Sequence, residues 1–256
     1  MARRSRRTPM VEAPLMDHLE ELRLRLFYML GFWAAGAALA WTYRGPLLEL
    51  LKHPIRFAKG EVNLVAIQLT DQLFVSLSVA LWGGLIVALP FMLHQVWLFV
   101  MPGLTATERR WAVPFILGAG LSFGLGTVFC YQIILPYAVP FLVDFLDGAV
   151  IVNLNIAQYI SQILTYLAVF GLIFELPILA FLLTKIGLVN ARMLGSVRRF
   201  AFVIILIVSA IITPTSDPVN LMLMAGPLYL LYEVGIIVSR FAAPRPVAVE
   251  QEELEV

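Results

Sequence analysis

An all-α, polytopic membrane protein with six transmembrane helices and cytoplasmic termini is predicted by three observations. Of 256 residues, 61% are apolar and 14% charged, with a mean hydropathy of +0.88, a composition that leaves too little polar surface to cover a water-soluble domain. The apolar residues fall into six continuous runs rather than alternating patterns, which argues for helices and against a lipid-spanning barrel. The basic residues gather beside alternate ends of those runs.

A bilayer core about 30 Å thick requires about 20 apolar residues in helical form. Runs that meet or approach this length cover 24–43, 73–99, 112–135, 159–183, 200–213 and 220–239. An even number puts both termini on one side. Arg3, Arg4, Arg6, Arg7, Arg23 and Arg25 precede the first run, Arg109 and Arg110 follow the second, Lys185, Arg192, Arg198 and Arg199 follow the fourth, and Arg240 and Arg245 follow the sixth. Arg44, Lys52, Arg56 and Lys59 lie on the other face. The excess of Lys and Arg marks the cytoplasmic side.

The fifth run is short: its 14 residues extend only about 21 Å at 1.5 Å per residue. The sixth has a similarly short uncharged stretch, from Pro218 to Tyr232, before Glu233. Such helices require local thinning, snorkelling or association. Prolines at 90, 114, 136, 140, 177 and 227 each remove a backbone donor in or just beyond a span, so kinked helices facing protein or water are expected. The first span is expected to be retained, because acidic residues separate the basic N-terminus from it and no usual cleavage site follows. Residues 1–240 form one membrane domain, and 241–256 is an acidic tail expected to be disordered.

Several functions are disfavoured. A formal charge of +1 indicates no nucleic-acid partner. The single cysteine, Cys130, lies in an apolar run, so neither an internal disulfide nor a cysteine metal cluster is available. No phosphate loop, His-Glu-x-x-His pair or Gly-x-Ser-x-Gly elbow occurs. Neither an enzymatic centre nor a cofactor or metal site is expected. His18, His53 and His94 are scattered and read as solvated or interfacial residues.

The residues able to carry chemistry are mostly carboxylates. Asp17 to Leu26 form an amphipathic lead-in to the first span, with Leu15, Leu19, Leu22 and Leu26 at helical spacing. Glu21 and Arg25 stand four apart, a spacing that permits a surface pair and leaves open a ligand role for Glu21. In the loop from Phe99 to Trp111, Pro102-Gly103 marks a turn, and Thr105 and Glu108 have capping-box spacing. A carboxylate there is equally suited to receive a guanidinium, whose planar fork matches it. Glu175, beside Pro177 in the fourth run, is costly in lipid and must face a polar cavity or a partner. Gln95, Gln162 and Glu233 are further polar groups in apolar runs. Thr213 to Pro218 reads as a tight turn.

From His18 to Arg240 the chain resembles the TatC family, the signal-peptide receptor of the twin-arginine protein translocase. The matching motifs are His18-Leu19-x-Glu21-Leu22-Arg23-x-Arg25, Phe99-x-x-Pro102-Gly103-Leu104-x-x-x-Glu108-Arg109-Arg110, Phe170-Gly171-x-x-Phe174-Glu175-x-Pro177 and Thr213-Pro214-x-x-Asp217. The resemblance implies a concave bundle of spans with a polar hollow in the cytoplasmic membrane. It also implies binding of twin-arginine signal peptides on folded cargo. Export would proceed with single-span TatA- and TatB-type subunits and other copies of the chain, driven by the proton-motive force. Under it, Glu21 and Glu108 recognise the arginine pair, supported by Arg23, Phe99, Arg109 and Arg110. Glu175, with Gln95, forms an intramembrane polar site, and Pro54 and Asp217 take periplasmic roles in assembly or transport. Leu221 stands where some members carry glutamine, a departure that removes one polar contact from the sixth span. A proton-coupled secondary transporter is the rival reading, with Glu175 as relay, but it calls for a midplane site in duplicated halves and no internal repeat is visible.

Overall fold

A computed structural model of the chain describes residues 13–101, 112–145, 151–185, 187–213 and 217–242. Among these residues, five helical segments are long and apolar enough to cross a membrane: Met16–Thr42, Asp71–Phe99, Pro114–Val143, Ile156–Lys185 and Pro218–Ala242. The remaining expected span is the helix Arg198–Ile212, whose 15 residues reach only about 22 Å. The short fifth span expected from the sequence is therefore present. The described structure forms two compact units that divide between Gly171 and Leu172.

In the first unit, α1 (Ala13–Thr42) and α3 (Asp71–Val100) are helices of 30 residues. The amphipathic lead-in and the first span form one uninterrupted helix, because no proline or glycine separates them before Gly31. Small residues set the packing of α1 on α3. Gly36 and Ala40 on α1 meet Gly83 and Gly84 on α3, where a Cβ on Gly84 would lie 2.2 Å from the Ala37 nitrogen. Close approach through small residues is the usual route to helix association in lipid, where no hydrophobic effect drives it. The Trp33 indole donates to the Leu81 carbonyl at 2.9 Å, and Phe32 stacks on Phe91 at 5.3 Å.

The third span is composite: α4 (Ala112–Phe129), a π-helical turn (Cys130–Ile134) and α5 (Leu135–Val143). Pro136 has no N–H for the regular ladder, and the preceding turn widens so that the Leu135 N–H bonds to the Cys130 carbonyl. Cys130 is fully buried there. The span thus extends to Val143, beyond the expected end at 135.

The connections on the far side of α1 and α3 hold structure that the hydropathy pattern does not announce. Helix α2 (Arg44–Lys52) leads into a 3-10 turn (His53–Phe57) that buries Pro54. The Tyr131 and Tyr159 hydroxyls donate to the Leu50 and Leu51 carbonyls. Strands β1 (Val62–Val65) and β2 (Val152–Asn155) pair in parallel, with Val62 opposite Val152. Asp71 binds this layer to α3: its carboxylate accepts from the Ile67 and Gln68 N–H groups, both at 2.9 Å, and from the Asn155 amide at 3.1 Å. Asn155 in turn accepts the Ala157 N–H and starts α6 (Ile156–Phe174). Asp144 accepts from the Lys59 and Gly60 N–H groups.

The second unit holds α7 (Leu176–Lys185), α8 (Ala191–Ser196), α9 (Arg198–Ile212) and α10 (Pro218–Ala242). Helices α7 and α10 pack closely where Gly235 faces Ala180 and Pro177. Below that contact, Thr184 donates to the Ala180 carbonyl, leaving Ser239 as donor in their buried 2.6 Å hydrogen bond. The uncharged part of α10 is as short as the sequence implies, but the helix itself continues for 25 residues, through Glu233. Its charge is matched: Glu233 accepts from the Arg198 guanidinium at 2.7 Å and from the Tyr229 hydroxyl at 3.1 Å. Tyr232 also donates to the Leu194 carbonyl at 2.6 Å, which ties α8 to α10.

Candidate functional site

One turn after another, α1 presents His18, Glu21 and Arg25 on a single face, the consequence of three- and four-residue spacing. The opposing face of α3 presents Gln95 and Phe99, also four apart. The His18 and Phe99 rings stack at 4.3 Å with planes 16° apart. Arg25 bridges the helices: its guanidinium donates to Glu21 Oε1 at 3.2 Å and to Gln95 Oε1 at 3.2 Å. The side chains of Arg25 and Glu21 are 22% and 28% exposed, so the pair is neither sealed in the protein nor fully open to water. Gln95 is buried, and a fixed neutral acceptor there orients the guanidinium without adding charge.

Arg23 is exposed on a different face, with its guanidinium carbon 5.8 Å from the Phe27 ring centre. Glu108, Arg109 and Arg110 lie outside the described residues. The structure therefore brings together Glu21 and Phe99, two of the expected recognition residues, and adds His18, Arg25 and Gln95 to them. The sequence reads His18 as a solvated or interfacial residue; its spacing from Glu21 and Arg25 puts it on their face, but its stacking partner comes from α3 and no local pattern reveals it.

A chain with this order of spans and motifs has close relatives. The family model described as "Sec-independent protein translocase protein (TatC)" matches residues 17–227. The chain belongs to the TatC family. The TatC protein of Deinococcus radiodurans is 48% identical over 248 residues, covering 95% of this chain and 91% of that protein. TatC of Aquifex aeolicus is 37% identical over 231 residues, covering 90% and 95%. A crystal structure described as the twin-arginine translocase receptor TatC superposes with a TM-score of 0.78 at 36% identity, covering 88% of this chain and 99% of that one. As a TatC-family member, the chain is a multi-pass inner-membrane component of a protein translocase rather than an enzyme, and the secondary-transporter reading falls away.

The other residues expected to matter in this TatC-family chain are placed as follows. Glu175 is buried at the break between α6 and α7, where its N–H bonds to the Leu172 carbonyl and its own carbonyl accepts the Leu179 N–H. Pro177 is the physical cause of the break, because it supplies no N–H to the Ile173 carbonyl. Gln95 lies in the first unit and Glu175 in the second, and the side-chain partner of Gln95 is Arg25. Pro54 is packed in the 3-10 turn. Asp217 caps α10, its carboxylate accepting from the Asn220 N–H at 2.8 Å and the Asn220 side-chain amide at 3.0 Å. Among the described residues no group of His, Cys, Asp and Glu is arranged to hold a metal ion.

Proposed function

We propose that the chain is the receptor and core subunit of a twin-arginine translocase, and that Glu21 on α1, together with Glu108 in the following cytoplasmic loop, receives the paired arginines of a signal peptide. The observation that carries this reading is the Glu21–Arg25 contact: the Glu21 carboxylate, partly shielded from water against α3, already accepts a guanidinium at 3.2 Å. Charge-assisted bonds of that kind are stronger at a partly desolvated surface than in bulk water. Phe99, stacked on His18, walls the site on the α3 side. Arg23, Arg109 and Arg110 keep the segment at the cytoplasmic face and contact the peptide backbone or its acidic groups. Glu175 serves as an intramembrane polar contact for partner helices or the inserted peptide. Pro54 and Asp217 shape the opposite face for assembly. TatA- and TatB-type subunits, other copies of the chain and the proton-motive force complete the machine that moves folded cargo.

Photo-crosslinking of the protein in nanodiscs to a twin-arginine signal peptide and to its twin-lysine counterpart tests the assignment. Lysine keeps the charge and loses the planar fork. Labelling near Glu21 and Glu108 that fades with the lysine peptide supports the reading. Equal labelling with both peptides, or labelling elsewhere, overturns it.

A further inference from the structure

We infer that Arg25 is a resident guanidinium that occupies the Glu21 carboxylate until an arginine of the signal peptide displaces it, with Gln95 holding Arg25 in place through the exchange; this rests on the proposal that Glu21 is a recognition carboxylate. Three observations support it. The group touching Glu21 in the described structure is chemically the same as the group the site is proposed to bind. Its hold is partial: one guanidinium nitrogen donates to Glu21 and another to Gln95, while the buried Nε has no partner among the described residues. The Gln95 acceptor belongs to the other helix, is itself buried and carries no charge. Arg25 can therefore release Glu21 without leaving its site.

The exchange has a consequence for affinity. A ligand must outcompete an arginine for Glu21, and an ammonium replaces a fork–carboxylate contact poorly, because Lys is a strongly hydrated point charge while Arg is a planar donor set. Displacing Arg25 costs the same for either ligand, so the resident arginine sets a common threshold, and the preference for arginine comes from the match of its fork to the Glu21 carboxylate. An i,i+4 pair that is one-quarter exposed contributes modestly, so the threshold is on the order of two- to fivefold in affinity. Removing Arg25 should tighten binding of both peptides by the same factor.

The test is the affinity of twin-arginine and twin-lysine signal peptides, labelled with a fluorophore, for the full-length protein in nanodiscs. The proteins compared are wild type, Arg25→Gln, Arg25→Lys, Glu21→Gln and the double variant Glu21→Gln/Arg25→Gln. Arg25→Gln should bind both peptides about two- to fivefold more tightly, keep the arginine-to-lysine preference, and lose the gain when Glu21→Gln is added. Arg25→Lys should show the same trend in smaller measure, and it decides the matter where Arg25→Gln fails to insert. Unchanged or weaker binding by the Arg25 variants, alongside weakened binding by Glu21→Gln, overturns the exchange and leaves Glu21 as a ligand. Wild-type binding by Glu21→Gln overturns the recognition role itself, and the exchange with it.

Discussion

Gly36 and Gly84 are the point at which α1 and α3 meet backbone to backbone: a Cβ added to Gly36 would lie 2.5 Å from the Gly84 carbonyl oxygen, and one added to Gly84 would lie 2.2 Å from the Ala37 nitrogen. Both obstructions are backbone atoms, which cannot rotate aside as a side chain does. The consequence reaches the candidate site, since His18, Glu21 and Arg25 face Gln95 and Phe99 only if α1 and α3 keep this spacing.

Gly84→Ala should therefore destabilise the protein by at least the 1–3 kcal/mol typical of overpacking, and it should separate the His18–Phe99 and Arg25–Gln95 contacts. Gly31→Ala, at a helical position with nothing within 4 Å, should be neutral or gain about 0.5–1 kcal/mol from helix propensity. Thermal unfolding of the two variants in detergent, read by intrinsic fluorescence, checks the contrast; equal melting temperatures would remove the glycine contact as the determinant of α1–α3 packing.

Gly171 gives the same kind of prediction within the third and fourth spans. A Cβ there would stand 2.6 Å from Cε2 of Phe123, but the obstruction is the rim of a ring rather than backbone. Gly171→Ala should lower the melting temperature, and adding Phe123→Leu should recover part of the loss by vacating the space. Simple addition of the two losses would show that the residues do not share one packing site.

The sequence made the spans legible because continuous apolar runs and charge asymmetry are imposed by the bilayer at every residue. It located the short fifth helix to within two residues, 200–213 against Arg198–Ile212. It did not reveal β1 and β2, because four residues such as Val62-Asn63-Leu64-Val65 are too few to display a period, and the partner strand lies about ninety positions away. The π turn at Cys130–Ile134 was hidden for a related reason: Pro136 announces a disturbance of the ladder without specifying its form. At the site, Glu21 and Arg25 were visible as an i,i+4 pair, but Gln95 read as a polar residue in a span, grouped with Glu175 rather than with Arg25. Its relation to Arg25 depends on the meeting of two helices, and although small residues repeat every four positions on α3 (Ala80, Gly84, Ala88) and on α1 (Gly36, Ala40), the neighbouring Ala34, Ala35, Ala37 and Ala38 leave the α1 face ambiguous in the sequence.

Asp71 should govern the layer formed by the two strands. One carboxylate oxygen accepts from the Ile67 and Gln68 N–H groups and from Asn155, so Asp71→Ala leaves three donors without their acceptor. Amide exchange at Ile67 and Gln68 should accelerate on the order of tenfold or more, with faster exchange spreading to Val152–Asn155 as local opening frees the strand. Exchange measured by mass spectrometry in nanodiscs separates this from global loss of structure, since α3 amides near Val79 and Ala80 should stay protected. Unchanged exchange at 67 and 68 would show that the carboxylate does not hold the turn.

The contact between Arg198 and Glu233 matches the carboxylate that α10 carries past its uncharged segment. Their contact is short, 2.7 Å, but Arg198 is 44% exposed and Glu233 27%, so solvent screening limits the coupling to about 0.5–1 kcal/mol. A double-mutant cycle with Arg198→Gln and Glu233→Gln should return a coupling of that size, and it should diminish with added salt. Tyr229→Phe should leave most of that coupling in place, because the Tyr229 hydroxyl meets Glu233 Oε1 while Arg198 meets Oε2. Zero coupling would mean that α10 continues through Glu233 on packing alone, with Gly235 against Ala180 and Ser239 against Thr184 as the contacts that carry it. The same cycle repeated with Ser239→Ala then decides between the two, since a helix held by its buried hydroxyl pair should lose more stability from that one substitution than from either charge.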